Sequence, residues 1–226
     1  MKDVSVVVVA YRRMDTLAGI LSAWTALSPD VWLADCSPGG AKDVPAAVHH
    51  VRFHPDPGNV TRHVLALLTS GEWVIKADDD FLPGPRLVDD FFRAGLVDRG
   101  PCFLGIMGRR FEGPRYYGNT ISARANKILE PARVDFVGIC TLAPRAVLAF
   151  DPRGCLSSIE DLFHQCGVFP EVPKFVFPST SYSHIPGADR PGCLCKNPKA
   201  QVEREIYYSK VWERCRAIRL GEGARG

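Results

Sequence analysis

The first part of the chain alternates between short β-branched runs and stretches in which apolar residues recur at helical spacing. The strand-like runs cover 4–10, 31–34, 48–53 and 73–77, and the helix-like stretches cover 17–24 and 59–68. Strands joined through helices pair in parallel, with right-handed crossovers. The pattern therefore predicts an α/β fold with a mostly parallel central sheet flanked by helices.

Polar residues follow three of these strands at the point where each strand ends. Tyr11 follows the first strand, Asp35 follows the second, and Asp78, Asp79 and Asp80 follow the fourth. Ligands of open parallel sheets bind at the carboxyl ends of the strands. The convergence of these residues on one edge predicts a ligand site there.

The acidic run is the most specific local signal. Three adjacent carboxylates repel one another unless a cation or hydrogen-bond donors gather them. Continued strand alternation would place Asp78 and Asp80 on one face, with Asp79 opposed. Hard oxygen ligands suit Mg²⁺ or Mn²⁺, which usually also hold a substrate's phosphates. An acidic surface turn is the alternative interpretation.

Composition narrows the class of protein. The 226 residues suit one domain, and 46% hydrophobic residues supply a core. A net charge of +3 does not by itself indicate a nucleic-acid binder. No apolar run approaches the roughly 20 residues of a membrane span, the N-terminus lacks a signal-peptide pattern, and the eight cysteines include no Cys-x-x-Cys pair. We expect a cytoplasmic protein with reduced thiols.

The second half is less regular. We predict a helix over 87–96, strands over 102–107, 134–143 and 172–177, and a hairpin over 116–122. Glu160 and Asp161 would open a helix capped by Ser157 or Ser158. A mobile loop is expected over 188–198. A last helix would bury one face, made of Val202, Ile206, Val211, Cys215 and Ile218.

In this order the motifs resemble those of nucleotide-sugar glycosyltransferases of the GT-A fold, most like family 2 and somewhat like the exostosin type. The resemblance covers roughly residues 4–187. Its motifs are Ala10-Tyr11-Arg12-Arg13, Asp35-Cys36-Ser37, Asn59-x-x-Arg62, Asp78-Asp79-Asp80, 134–138, Glu160-Asp161 and His184.

The resemblance implies a role for each matching residue. Asp35 would hold a uracil-type base with Tyr11 nearby, and Glu160 or Asp161 would supply the catalytic base. Asp80, Asp78 and His184 would bind Mn²⁺ or Mg²⁺ in the manner of the family's DXD motif. Arg13, Arg62 and Asp79 are further predicted donor-binding residues. Because a leaving diphosphate must be neutralised, Arg13, Arg62, Arg190 and Lys196 are candidates for auxiliary positive charge.

The resemblance also implies a GT-A-type, Rossmann-like catalytic domain over 1–187, with a nucleotide-binding half (1–81) and an acceptor half (82–187). Residues 188–226 would form a loop, a C-terminal helix and a tail. Two features depart from the family. Lys76 stands where an apolar residue is usual, and the Gln-x-x-Arg-Trp signature of processive enzymes is absent.

These features predict a metal-dependent glycosyltransferase that uses a nucleotide-sugar donor, with a UDP-sugar expected. The likeness to family 2 favours a transfer in which a general base assists and the anomeric configuration is inverted. A sugar-nucleotide pyrophosphorylase is an alternative, although the first strand is not followed by a Gly-rich phosphate loop. A non-catalytic nucleotide-sugar or glycan-binding module is another. The acceptor stays open among a glycan, a lipid-linked sugar, a protein, a metabolite and a modified DNA base.

Overall fold

Strands and helices alternate along the chain as the sequence predicts. The computed structural model describes residues 3–11, 13–58, 60–93, 95–116, 120–122, 128–148, 159–185 and 197–221. The strands are β1 (Val4–Ala10), β2 (Asp30–Asp35), β3 (Val48–Arg52), β4 (Trp73–Asp78), β5 (Phe81–Pro83), β6 (Phe103–Arg109), β7 (Thr120–Ser122), β8 (Ala132–Val134), β9 (Phe136–Pro144), β10 (Lys174–Val176) and β11 (Tyr182–His184). The helices are α1 (Met14–Thr25), α2 (Thr61–Leu68), α3 (Leu87–Arg93), α4 (Glu160–Leu162) and α5 (Pro198–Leu220), and α4 continues as a π-helical segment, Phe163–Val168.

Among the described residues, nine strands form the central sheet, in the order β3-β2-β1-β4-β9-β6-β10-β8, with β7 paired to β6. β9 is antiparallel to both of its neighbours, β4 and β6. Six of the nine strands (β1, β2, β3, β4, β6 and β10) therefore run in one direction. This arrangement confirms the predicted α/β fold with a mostly parallel sheet.

The core lies on both faces of the sheet because β1 and β4 are buried on both sides. Alternate residues of β1 enter different clusters, Val6 and Val8 with α1 on one face and Val7 and Val9 with α2 on the other. Such two-sided burial is typical of parallel strands covered by helices. It fixes α2 directly above the face of β4 from which Lys76 and Asp78 project.

Two predictions about the second half are wrong. The run predicted as one strand over 134–143 is split at Asp135 into β8 and β9, which pair with different neighbours. Val202 and Ile206 of α5 are more than half exposed, and the buried side chains of that helix are Ala200, Tyr208 and Cys215. The helix packs through its aromatic residues because Tyr208 meets Phe111 and Tyr116.

A second, two-stranded sheet of β5 and β11 lies beside the acidic run. Gly84 follows β5, and a Cβ at Gly84 would come within 2.5 Å of Ser181 Oγ, so only glycine fits this crossing. The pairing places His184 opposite Phe81, and the Ile185 N–H donates to the Asp80 carbonyl at 2.9 Å.

Several predictions fall outside the described residues, among them the caps Ser157 and Ser158 and the loop over 188–198 except for its last two residues. The division of the chain at residue 187 stays a prediction. Five described cysteines are buried and free: Cys36, Cys102, Cys140, Cys166 and Cys215. Within the described segments, no helix has the length and apolar character needed to cross a membrane.

Candidate active site

The carboxyl ends of β1, β2 and β4 bring the predicted residues to one edge of the sheet. Ala10 pairs with Asp35, and Val9 pairs with Asp78. Tyr11 therefore leaves β1 between the two acidic strand ends. This is the geometric convergence that the sequence predicts.

Asp79 and Asp80 form a turn after β4, so strand alternation ends at Asp78. Asp79 Oδ2 accepts a hydrogen bond from the Tyr11 backbone N–H at 3.0 Å, which fixes the turn against the end of β1. Arg13 Nη1 contacts Asp79 Oδ1 at 2.6 Å and Asp80 Oδ2 at 3.0 Å. Asp79 and Asp80 therefore share one cation, instead of the expected opposition of Asp79 to Asp78 and Asp80.

Arg62, at the first turn of α2, connects Asp78 with two consecutive acids that lie far along the chain from it, Glu160 and Asp161. Its Nη1 lies 3.2 Å from Asp78 Oδ1 and 3.5 Å from Asp161 Oδ2, and its Nε lies 3.3 Å from Glu160 Oε1. The guanidinium is buried, and these carboxylates raise its pKa although burial alone would lower it. A buried guanidinium with several acidic partners organises them into one site.

Asp161 has a second cationic partner, which comes from strand β4. Lys76 Nζ donates to Asp161 Oδ1 at 2.8 Å and lies 3.5 Å from His63 Nε2. His63 follows Arg62 on α2, and its Nε2 lies 3.6 Å from the same Asp161 oxygen. The two oxygens of Asp161 thus have different partners, Lys76 and His63 on Oδ1 and Arg62 on Oδ2.

The adjacent acids Glu160 and Asp161 have opposite pKa shifts. Burial, reinforced by the charge of Asp161, raises the pKa of Glu160 to about 8. Burial also acts against ionisation of Asp161, but Lys76 and Arg62 outweigh it and hold the Asp161 pKa well below its usual range. At neutral pH Glu160 is mostly protonated and Asp161 is ionised.

Asp78 differs from both of these acids. Loss of surrounding water raises its pKa to about 6, with Arg62 acting in the opposite direction, although 36% of its side-chain surface stays accessible. Its ionisation is therefore sensitive to any further cation at this edge.

Asp35 is fully buried and already hydrogen-bonded within its own loop. Oδ1 accepts from the backbone N–H and the hydroxyl of Ser37, and Oδ2 accepts from the Ala41 N–H and lies 3.0 Å from His50 Nε2. These hydrogen bonds lower the pKa of Asp35, although burial alone would raise it. The side chain shapes the loop after β2, and its expected role in base recognition stays a prediction.

The predicted metal ligands keep oxygens available for a divalent ion. Within the described chain, Asp78 and Asp80 each commit one carboxylate oxygen to an arginine, and their other oxygens have no ion pair or hydrogen bond. One or two such carboxylates suit Mg²⁺ or Mn²⁺ when a diphosphate supplies further ligands. His184 is exposed, with its ring centroid 6.0 Å from that of Phe81.

Among the described residues, only one set of three potential ligand atoms lies within 4.8 Å of one another. It belongs to His63, Glu160 and Asp161, not to Asp78, Asp80 and His184. The roles of those last three residues as metal ligands therefore stay predictions.

Sequence reasoning missed the roles of two residues in the site. Lys76 is noticeable in the sequence only as a charge in an apolar strand, and His63 has no distinguishing pattern. Ile139 adopts φ +67° in β9, where the pairing with β6 shifts by one residue. Positive φ is rare for a β-branched residue and indicates local strain.

A shallow, open depression lies between β8, β10 and α5, lined by residues that include Lys174, Cys215 and Arg219. None of the predicted site residues lines it. The predicted site residues lie instead at the sheet edge, where the charged residues converge.

The fold is that of the GT-A glycosyltransferases, as the sequence resemblance predicts. Solved structures similar to this chain include S. aureus TarS, a GT-A-like family-2 glycosyltransferase. The chain matches TarS at a TM-score of 0.52 over 80% of its own length and 36% of TarS. It matches TarS 1–349 at 0.56, over 98% of this chain and 71% of that one.

A further match is TarS 1–349 in complex with UDP-GlcNAc, at a TM-score of 0.52, over 80% of this chain and 57% of that one. Identity is 16% in all three comparisons, so the likeness concerns the fold. The chain spans about a third of the length of TarS. No family model and no curated protein matches the chain.

Proposed function

We propose that the protein is a glycosyltransferase that moves a sugar from a nucleotide-sugar donor, expected to be a UDP-sugar, to an acceptor hydroxyl. The observation that carries the proposal is the contact of Arg62 with Asp78, Glu160 and Asp161. This contact joins the acids beside the predicted donor site to the acids that could remove a proton. The GT-A fold and the UDP-GlcNAc complex of TarS support the choice of donor class.

Each residue has a proposed task in the transfer. Asp161 accepts the proton of the acceptor hydroxyl while the acceptor oxygen bonds to the anomeric carbon and the bond to the diphosphate breaks. Asp161 is the better candidate because it is ionised at neutral pH and partly accessible, whereas Glu160 is buried and mostly protonated. A single displacement of this kind inverts the anomeric configuration.

The leaving diphosphate requires positive charge. Arg13 and Arg62 contribute cations of the chain at the carboxylate turn. Asp78 and Asp80 would hold Mn²⁺ or Mg²⁺ through their uncommitted oxygens. When bound, such an ion neutralises the diphosphate charge. Three acids at this turn would otherwise repel a diphosphate.

The donor site is tested by the melting temperature with UDP or UDP-GlcNAc, in Mn²⁺ and in EDTA. We expect stabilisation only when Mn²⁺ is present, because the ligand binds the folded state through the metal. Asp80→Asn should remove this stabilisation. Asp89→Asn, an exposed acid on α3, is the matched control and should keep it. Equal stabilisation in EDTA would contradict a metal-bridged donor.

Activity separates the enzyme from its alternatives. A glycosyltransferase should slowly hydrolyse its nucleotide sugar to free sugar and nucleoside diphosphate in Mn²⁺ without an acceptor. A pyrophosphorylase would instead release nucleoside triphosphate when pyrophosphate is added. A binding module would be stabilised by the nucleotide sugar without consuming it. A screen of nucleotide sugars, followed by NMR of the products, identifies the sugar and the anomeric outcome.

A further inference from the structure

Lys76 is a charged residue in a position where the fold would normally place an apolar one. It lies within β4, between Ile75 and Ala77, which both pack in the core, and its side chain is 1% exposed. Its long side chain runs under α2 and ends at Asp161, 85 residues further along the chain. A central strand gains little from such a residue unless its ammonium group has a specific task.

The ammonium group lies beside a set of atoms with the spacing of a metal site. Ligand atoms of His63, Glu160 and Asp161 lie within 4.8 Å of one another. Lys76 Nζ contacts two of these residues, Asp161 Oδ1 at 2.8 Å and His63 Nε2 at 3.5 Å. The cluster therefore has a cation of its own, supplied by the chain.

We propose that Lys76 is a positioning residue for Asp161 and takes the place of a metal ion in the His63–Glu160–Asp161 cluster. It anchors Oδ1 and leaves Oδ2, whose contact with Arg62 is longer at 3.5 Å, to meet the acceptor hydroxyl. The orientation of the base is then independent of the divalent ion at the donor diphosphate. This inference rests on the proposed role of Asp161 in transfer.

Stability alone is a poor explanation for the residue. A buried ion pair often contributes nothing compared with apolar side chains of similar volume, because both charges lose their water. Ser5, Ser28 and Thr69 are buried polar residues around the same strands, but none of them places a full charge in the core. Lys174 is the other described lysine that is buried, and its ammonium group donates to three backbone carbonyls instead of an acid.

The first test is chemical rescue. In Lys76→Ala the transfer rate at saturating donor should fall by about a hundredfold, the order expected when a reacting group is misplaced by about 1 Å. The KM for the donor should change little. Methylammonium should restore part of the rate, because it can occupy the vacated space and contact Asp161, whereas tetramethylammonium should not. A purely structural role predicts lost stability with no response to amines, and that result would overturn the proposal.

The second test does not depend on activity. Lys76→Met removes the cation and leaves an unbranched apolar side chain that is one atom shorter, so the cluster should then bind Co²⁺ with stoichiometry near one and visible absorption bands from the imidazole and carboxylate ligands. The wild type should lack these bands. Adding His63→Gln to the methionine variant should abolish them, while Lys174→Met, the matched buried lysine, should not create them.

The outcomes separate the two proposals. Co²⁺ bands in the wild type that depend on His63, or their absence from a folded Lys76→Met variant, would show that Lys76 does not stand in for a metal. If the wild type neither hydrolyses nor transfers any nucleotide sugar, the proposed function fails, and the Co²⁺ experiment still decides what occupies the cluster.

Discussion

Glu160 and Asp161 are consecutive in the chain, but their surroundings divide them into a protonated and an ionised acid. The difference arises mainly from Lys76, whose ammonium group contacts Asp161 at 2.8 Å, whereas Arg62 lies at similar distances from both acids, 3.3 Å from Glu160 and 3.5 Å from Asp161. Consecutive helical side chains point in different directions, so two adjacent acids can have different partners and different protonation states.

Asp161→Asn should lower the rate of transfer by about a hundredfold or more, the usual contribution of a general base. Binding of UDP with Mn²⁺ should stay near the wild-type value. Glu160→Gln should cost far less at neutral pH, because Glu160 is already mostly protonated there. The measurement is steady-state transfer with each variant, and Asp89→Asn is the control. Equal activity of both site variants and the wild type would reduce the acid pair to a helix-terminal charge pattern.

At the residue scale, the acids were predictable and their partners were not. Asp78 to Asp80 and Glu160-Asp161 are recognisable because they stand at a strand end and at a helix start. They also follow one another along the chain in the order of the GT-A motifs. The contact between Lys76 and Asp161 spans 85 residues, so it exists only after β4 and α4 have been placed. The interpretation of Asp79 failed for a local reason, because the strand ends at Asp78, two residues earlier than alternation through Asp80 assumes.

At the scale of elements, α2 and the π-helical segment after α4 meet through two buried histidines. The rings of His63 and His164 are edge to face with centroids 4.6 Å apart. His164 Nε2 lies 2.7 Å from the Val147 carbonyl. Burial, with help from the charge of Lys76, lowers the pKa of His63 to about 3 and that of His164 to about 2.

This interface should weaken in acid. Both histidines have a folded-state pKa below the unfolded value near 6.5, so the unfolded state binds more protons. Their stabilisation is complete above pH 6.5 and is lost as the pH falls towards the folded values. Each histidine contributes a slope of up to about 1.4 kcal/mol per pH unit. Glu160, with its raised pKa, acts in the opposite direction between pH 8 and 4.5.

A comparison of variants separates the contribution of the histidines to the pH dependence from that of Glu160. In urea unfolding between pH 6.5 and 4.5, His164→Gln should reduce the slope of the unfolding free energy against pH. The reduction should be about 1.4 kcal/mol per pH unit, the contribution of one proton. His54→Gln, at an exposed position, is the control for replacing a histidine by glutamine. Parallel curves for the wild type and His164→Gln would mean that His164 titrates normally in the folded protein.

A buried ion pair joins α5 to the sheet. Arg219 Nε donates to Asp135 Oδ2 at 2.8 Å, and the same oxygen accepts from the Phe111 backbone N–H at 2.7 Å. Asp135 is buried where β8 ends and β9 begins. Arg219→Met should therefore cost about 3–5 kcal/mol of unfolding free energy, because it leaves a buried carboxylate without its cation.

The control is Arg214→Met on the same helix. Arg214 pairs with Glu171 at 3.4 Å, but both side chains are mostly exposed, so the loss should stay within about 1 kcal/mol. Urea unfolding at neutral pH compares the two. Similar small losses for both arginines would mean that aromatic packing, not the buried ion pair, holds α5.

On the scale of the whole molecule, the fold was largely predictable because its first half is periodic. Strands that alternate with helices form a parallel sheet, and ligands of such a sheet bind at the edge where the strands have their carboxyl ends. The second half resists such reasoning because β8, β10 and β11 have three residues each, too few for periodicity to identify. The amphipathic pattern of α5 also misled, since Tyr208 buries more surface than the aliphatic residues around it.

The Arg219–Asp135 pair also bears on how the protein is made. Synthesis proceeds from the N-terminus, so the nascent chain contains Asp135 and the strands around it well before Arg219. Until the last helix emerges from the ribosome, the carboxylate between β8 and β9 lacks the cation that offsets its burial. Folding during translation can therefore complete the half of the sheet built from β1 to β4 first, while the half beside α5 waits for the last helix.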